Sequence, residues 1–284
     1  MDVKTVLKWG VGALNASSES ARLDAEVLLA YALKKPVTFL LAHDDSRMPL
    51  FSLWRYQRLI GKRRQGIPVA YITGTKEFYF LDFEVTPDVL IPRPDTETLA
   101  EAVVDYLNSQ LQITNYEFNH FLLLDVGTGS GCVPISILKN VDGVQAVATD
   151  ISGKALKVAH RNAKKHGVSD RLTFIESNLL EGVPSPLLQG RDLIVTANLP
   201  YVPEGYPVTR SVHFEPSMAV YGGKDGLDLY RRFLRQLLPL KPRAVFLELL
   251  EFQQEALRNA FPCTRSRVIK SLADQVRFVV FERD

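Results

Sequence analysis

The sequence predicts an α/β fold: a mostly parallel seven-stranded sheet with an antiparallel last strand, preceded by a small helical N-terminal domain. Three observations point there. From about residue 119, seven apolar, strand-like runs follow one another: FLLLDV, VQAVATD, LTFIES, DLIVTAN, RAVFLELL, SRVIKS and VRFVVFE. Helical patterns separate the earlier runs, near 132–139, 152–166 and 226–238, which is the signature of parallel strands buried on both faces. The first 75 or so residues carry helical periodicity instead.

The chain has 284 residues, room for one large domain or two smaller ones with a real core. Apolar residues make up 46% and charged residues 23%, ordinary globular values. Its 34 basic and 32 acidic residues leave a net charge of +2, which exerts no global pull toward nucleic acid or membrane. No apolar run approaches the ~20 residues of a membrane span, and MDVKTVLKWGVGAL reads as a short amphipathic helix rather than a secretion signal. A cytoplasmic protein is expected. Cys132 and Cys263 belong to no metal-binding pattern, and a disulfide between them has little to favour it here. His43, His120, His160, His166 and His213 lack paired ligand spacing, so no metal site is expected.

In chain order, residues 1–75 form the expected helical domain. SESARLDAEVLLAYAL places Leu23, Val27, Leu28 and Tyr31 on one face, after capping serines. FSLWRYQRLIGKRRQG ends in Arg55, Arg58, Lys62, Arg63 and Arg64. Those cations suit either a helix C-terminus or a docking face for an acidic partner. Residues 76–93 contain EFYFLDFEV, which alternates as a β-hairpin does. Residues 94–284 make the α/β domain. IPRPDTETLAEAVVDYL opens it with a helix whose prolines fix its start and whose Asp-Thr-Glu supplies caps and N-terminal acidity. The last two strands lie close together in sequence, so they form an antiparallel hairpin at the end of the sheet.

The chemistry concentrates at strand ends. LLLDVGTGSGCVPISIL is strand, glycine loop, helix: Gly127, Gly129 and Gly131 permit a tight turn and close ligand approach, with Thr128 and Ser130 between them. The spacing is GxGxG rather than the dinucleotide GxGxxG, and Asp125 precedes the loop. A carboxylate there repels a pyrophosphate but suits the ammonium of an amino-acid-like ligand. Asp150 ends the second strand and can accept hydrogen bonds from both ribose hydroxyls. S-adenosyl-L-methionine carries both features, with S-adenosyl-L-homocysteine as its product.

The fourth strand ends in Asn198-Leu199-Pro200-Tyr201. Beside the glycine loop this is similar to the amino-methyltransferase motif (N/D/S)PP(Y/F). An amide or exocyclic amino nitrogen is a poor nucleophile because its lone pair is delocalised. The Asn198 side-chain oxygen can accept one N–H and the Pro200 carbonyl the other, which aims the nitrogen and stabilises developing positive charge. Tyr201 can cover the planar group and exclude water.

At larger scale the chain resembles the release factor glutamine methyltransferases, the PrmC/HemK group. The resemblance rests on GIPVAYITGTKEFYFLDFEVTPDVLIPRPDTETLAE, LLDVGTGSGCVPIS, NLPYVP, FEPSMAVYGGKDGLDLYRRF and KSLADQVRFVVFER, in the family's order. It implies a Rossmann-like, S-adenosylmethionine-dependent methyltransferase fold. It also implies methyl transfer to the side-chain amide nitrogen of the glutamine in the Gly-Gly-Gln motif of class 1 peptide chain release factors, supporting translation termination. Gly127 to Gly131 would line the methionine part, Asp150 the ribose and Asn178 the adenine, while Asn198, Leu199, Pro200 and Tyr201 would grip the glutamine. The helical domain would bind the release factor, the chain acting as a monomer without contacting nucleic acid. Two positions depart from the pattern: Leu199 replaces a proline and regains an N–H, and Asn178-Leu179 replaces the usual Asp-Trp. The rival reading is an amino-methyltransferase acting on adenine in RNA or DNA, but the near-neutral charge and the IPRPDTE junction count against it.

Overall fold

The computed structural model describes residues 1–114, 120–261, 265–270 and 276–283. Cys263, and with it any Cys132–Cys263 disulfide, lies outside the described residues. The chain divides into two compact units, Met1–Thr75 with Val208–Phe214, and Lys76–Pro207 with Glu215–Asp284.

The first unit contains helices α1 (Val3–Leu14), α2 (Ala21–Leu33), α3 (Val37–Ala42), α4 (Leu50–Arg64) and α5 (Val69–Thr73). Asp2 caps α1 through Thr5 N. The buried residues of α2 are Ala21, Asp24, Ala25, Leu28, Leu29, Ala30 and Ala32; of the expected face Leu23, Val27, Leu28 and Tyr31, only Leu28 is among them. Leu23 is 59% exposed. The reason is an ion pair the periodicity could not count: Arg63 Nε donates to Asp24 at 2.6 Å, with both side chains mostly buried. The alanines beside Asp24 let the helices approach closely. Arg63 is thereby removed from the basic face of α4, whereas Arg55 lies over the Tyr31 ring and Arg58 over Trp54. The segment Val208–Phe214 joins this unit, Phe214 and Arg210 lying against Gly66.

β1 (Thr75–Phe78), which lies in the second unit apart from Thr75, and β2 (Leu81–Glu84) form the expected hairpin. Its turn residues Tyr79 and Phe80 both have positive φ, as a two-residue hairpin turn of type I′ requires. Helix α6 (Pro94–Thr114) follows. Then β3 (Phe121–Val126), α7 (Cys132–Asn140), β4 (Gln145–Asp150), α8 (Gly153–His166), β5 (Leu172–Glu176), α9 (Ser185–Leu188) and β6 (Asp192–Ala197) alternate. Helix α10 (Asp228–Leu237), β7 (Ala244–Glu248), α11 (Gln254–Ala260), β8 (Arg265–Lys270) and β9 (Val276–Glu282) complete the unit.

The strand order is β5-β4-β3-β6-β7-β9-β8. The first five are parallel, and β9 runs antiparallel to both β7 and β8. The last strand therefore inserts between β7 and β8 and leaves β8 at the edge. Alternate residues of β3 feed two cores, Phe121 and Leu123 on one face, Leu122, Leu124 and Val126 on the other. Both faces are covered, which is why the strands read as unbroken apolar runs. The strand order reverses between β3 and β4 on one side and β6 on the other, so the carboxyl ends of these strands frame a crevice.

Candidate active site

The glycine loop after β3 is folded back by its own backbone: Gly127 and Thr128 N–H groups both donate to Thr149 O at 2.9 Å. Gly127, Gly129 and Gly131 all have positive φ, a conformation that side chains disfavour. Asn162 of α8 pins the loop to the hairpin. Its Nδ2 donates to Ser130 O and Glu84 O, and its Oδ1 accepts from Glu84 N.

A cavity of about 380 Å³ opens over the strand ends, walled by Gly127, Gly129, Asp150, Asn178, Leu179 and Asn198 among others. That volume suits a cofactor-sized ligand. A smaller pocket of about 40 Å³ adjoins it, with Asp125, Thr128, Ser130, Arg93, Thr96 and Cys132 in its wall. Gly127, Gly129 and Asn198 belong to both. Of the expected residues, Gly131 and Tyr201 line neither. A Cβ on Gly131 would stand 2.9 Å from Ile135 and 3.2 Å from Ala159, so this glycine serves the packing of α7 on α8.

Asp150 ends β4 with both carboxylate oxygens engaged: Oδ2 accepts from Gly129 N and Oδ1 from Ser152 N, each at 2.9 Å. Each oxygen keeps a lone pair for a ribose hydroxyl. Burial raises its pKa, against the pull of those backbone donors. Asp125 is 3% exposed and accepts from Thr196 Oγ1 at 2.6 Å, its direct neighbour in the β3–β6 register. Burial pushes its pKa up to about 6. Among the described residues no cation pairs with it. A buried carboxylate lacking a cation fits the ammonium group of an S-adenosylmethionine-like ligand. Asn178 Nδ2 is held by Glu181 Oε2 at 3.1 Å, which leaves Oδ1 to accept an adenine N–H. Leu179 is buried in the same wall.

The Asn198–Tyr201 segment leaves β6 under tight control from the 215–230 region. Gly222 is what lets that region approach: a Cβ there would come within 2.2 Å of the Pro200 carbonyl oxygen. Gly226 does the same for Tyr201, where a Cβ would stand 2.1 Å from the carbonyl oxygen. The Tyr201 carbonyl accepts from Gln253 Nε2. No residue among those described donates to the Pro200 carbonyl, and strand-like pairing resumes only at Val202. The N–H that Leu199 regains in place of proline donates to the buried Tyr230 hydroxyl at 3.3 Å. Tyr230 in turn donates to Glu248 O. The Leu199 side chain packs against bare Gly127.

Asn198 Nδ2 donates to Thr96 Oγ1 at 3.2 Å, and Thr96 Oγ1 donates to Glu248 Oε2 at 2.7 Å. Tyr201 does not cover the pocket as expected; its hydroxyl donates to Glu248 Oε1 at 2.9 Å and its ring packs on the core. Thr96 and Glu248 were not singled out from the sequence. The acid at the end of an apolar strand, FLELL, was the available signal. The IPRPDTE stretch reaches the site because Glu215 holds it there, accepting from Ile91 N at 3.1 Å and from Arg93 at 2.6 Å.

Residues 5–74 match the model of the PrmC N-terminal domain and residues 100–202 that of the methyltransferase small domain. A release factor glutamine methyltransferase of Moorella thermoacetica is 39% identical over 76% of this chain and 73% of its own length. One from Koribacter versatilis is 37% identical over 82% of this chain and 80% of its own. A bifunctional methyltransferase of Rickettsia typhi is 35% identical over 73% of this chain, which spans only 42% of that protein. The fold matches the hMettl16 catalytic domain solved with MAT2A 3′UTR hairpin 1, with a TM-score of 0.57 at 15% identity over 89% of this chain and 90% of that one.

Proposed function

The chain belongs to the release factor glutamine methyltransferase family, and from that premise we propose that it methylates the side-chain amide nitrogen of the Gly-Gly-Gln glutamine in class 1 peptide chain release factors. S-adenosylmethionine, when bound, supplies the electrophilic methyl group. Asp125 would hold its ammonium, Asp150 the ribose and Asn178 with Leu179 the adenine. The observation that carries the reading is the position of Asn198, in the wall of both the large cavity and the small adjoining pocket. The small pocket carries Asp125, Thr128 and Ser130 for the methionine end of the donor, and the large cavity carries Asp150 and Asn178 for its nucleoside and Pro200 for the amide, so donor and acceptor meet beside Asn198.

Asn198 Oδ1 and the Pro200 carbonyl act as two fixed acceptors for the two N–H bonds of the substrate amide. As the N–C bond forms and the C–S bond breaks, the nitrogen becomes cationic, and acceptors already in place stabilise it without reorganising. The N-methylated amide cation is strongly acidic, so its proton leaves to water and no general base is required. Asn198 would serve as the catalytic residue, with Leu199 and Tyr201 shaping the segment that presents it.

The release factor would dock through the helical domain, whose exposed Trp54, Phe51 and Arg58, with the half-buried Arg55, favour a large protein partner. No helix of the described residues is long and apolar enough to cross a membrane. The proposal places the enzyme in the cytoplasm as a monomer that does not read nucleic acid. The test is methyl-donor labelling with a release factor and RNA as competing acceptors. Label on the release factor supports the reading; label on RNA alone overturns it in favour of an adenine methyltransferase.

A further inference from the structure

Asn198 is an amide, and an amide has two faces with opposite roles. Its oxygen accepts and its NH₂ donates. The proposed chemistry works only when the oxygen meets the substrate N–H. Something in the protein must decide which way the amide is turned, and the contacts around it identify what does.

Thr96 Oγ1 has one proton and two lone pairs. Its proton is committed to Glu248 Oε2 at 2.7 Å. Toward Asn198 it can therefore only accept, so the NH₂ must face Thr96, at 3.2 Å, and Oδ1 is left for the substrate. Thr96 is 2% exposed and Glu248 1%, so water does not compete for these bonds. The other carboxylate oxygen, Oε1, already accepts from Tyr201. Both oxygens thus already accept, and a proton arriving on Glu248 must displace one of the two donors; the case that reaches Asn198 is a proton on Oε2, the oxygen facing Thr96. There it makes Glu248 a donor, Thr96 rotates its O–H to point at Asn198, and the amide turns its oxygen to Thr96 and its NH₂ to the substrate. Donor then meets donor.

We propose that Glu248 is a positioning residue that acts through the Thr96 hydroxyl to keep the Asn198 oxygen turned toward the substrate nitrogen, and that its protonation turns the amide the wrong way. The inference rests on the reading of Asn198 given above and extends it to two residues that do not touch the substrate nitrogen. The groups that act on Glu248 are Thr96 and Asp95 of α6, Tyr201 after β6, Tyr230 of α10, Cys132 of α7 and Arg277 of β9. Burial, first, and Asp95 raise its pKa to about 7, while the bonds from Thr96 and Tyr201 and the charge of Arg277 oppose them. The switch would thus operate near neutrality.

Two measurements test this. The first needs no substrate: the side-chain ¹⁵N–¹H signals of Asn198, identified by their loss in Asn198→Ala, are followed with pH in the full chain loaded with S-adenosylhomocysteine. We expect them to shift with a midpoint near pH 7 in the wild type and to lose that shift in Thr96→Val and Glu248→Gln. An Asn198 amide insensitive to pH, or equally sensitive in Thr96→Val, overturns the relay. The second is kinetic. Thr96→Val should lower kcat roughly 2- to 10-fold, the worth of one net hydrogen bond, with the KM for S-adenosylmethionine unchanged, and Thr96→Ser should restore it. The wild-type kcat should fall below pH 7, and that acidic limb should vanish in Glu248→Gln. Equal kcat in Thr96→Val and Thr96→Ser overturns the positioning role. A wild-type enzyme that leaves release-factor glutamine unmethylated strikes the proposed function instead, and the amide titration still decides the relay.

Discussion

Asn198 Nδ2 meets Thr96 Oγ1 at 3.2 Å across 102 positions of the chain. The bond ties the residue that would grip the substrate to the IPRPDTE stretch, and through Thr96 to Glu248. The neighbouring Pro200 carbonyl is held by a different device, the close backbone approach that Gly222 permits. The two acceptors of the proposed site are thus set by independent parts of the fold, and they can be tested separately.

Asn198→Ala removes an acceptor from a nitrogen that gains positive charge. Hydrogen bonds to charged groups are worth roughly 1.5–3 kcal/mol, which corresponds to about 10- to 150-fold in rate. The loss should fall on kcat, since the interaction strengthens in the transition state. Steady-state kinetics check it; a change confined to KM contradicts the assigned role.

Asp150→Ala should weaken S-adenosylhomocysteine binding about ten- to hundredfold, from the lost ribose bonds. The substitution also releases the N–H groups of Gly129 and Ser152, so the loop loosens as well. Calorimetric affinity equal to wild type would remove Asp150 from the cofactor site.

Asp125 makes cofactor affinity depend on pH. In the free protein burial holds its pKa up at about 6, and a ligand ammonium requires the carboxylate. As pH falls through 6 the proton must be displaced, so affinity should weaken by up to about tenfold per pH unit. Above 6 that contribution is flat. Asp125→Asn should bind more weakly at pH 8 and lose the dependence. Titration of S-adenosylhomocysteine from pH 5 to 8 measures both.

Gly222→Ala puts a methyl group where the Pro200 carbonyl oxygen lies. Overpacking of this kind costs about 1–3 kcal/mol. Methyl transfer should drop sharply while S-adenosylhomocysteine still binds, because the displaced atom faces the acceptor rather than the cofactor. Urea denaturation and calorimetry on the same variant check the two halves. Wild-type turnover in this variant would remove the Pro200 carbonyl from the reaction.

Much of the architecture was legible because it is written locally. The seven apolar runs, the glycine loop and the hairpin each declare themselves within a few residues. So did Asn198 and Asp150, since both end strands whose carboxyl edges frame the crevice. What stayed hidden depends on contacts far apart in sequence. The buried face of α2 could not be read because Asp24 is satisfied by Arg63, 39 positions away. Leu199 regains an N–H where the pattern has proline, and the group that takes it up, Tyr230, lies 31 positions on. An aromatic ring after a strand suggests a cover for the substrate; the Tyr201 hydroxyl, held by Glu248, draws the ring into the core instead. The Thr96–Glu248 bond spans 152 positions, and no local pattern announces it.

The central claim is that a glutamine amide nitrogen of a release factor receives the methyl group. Mass spectrometry of a class 1 release factor co-expressed with this chain tests it most directly. The account predicts one added methyl group on the side chain of the Gly-Gly-Gln glutamine, absent when the co-expressed chain carries Asn198→Ala. An unmodified glutamine beside an active wild-type chain, or a methyl group on any other residue, would contradict it.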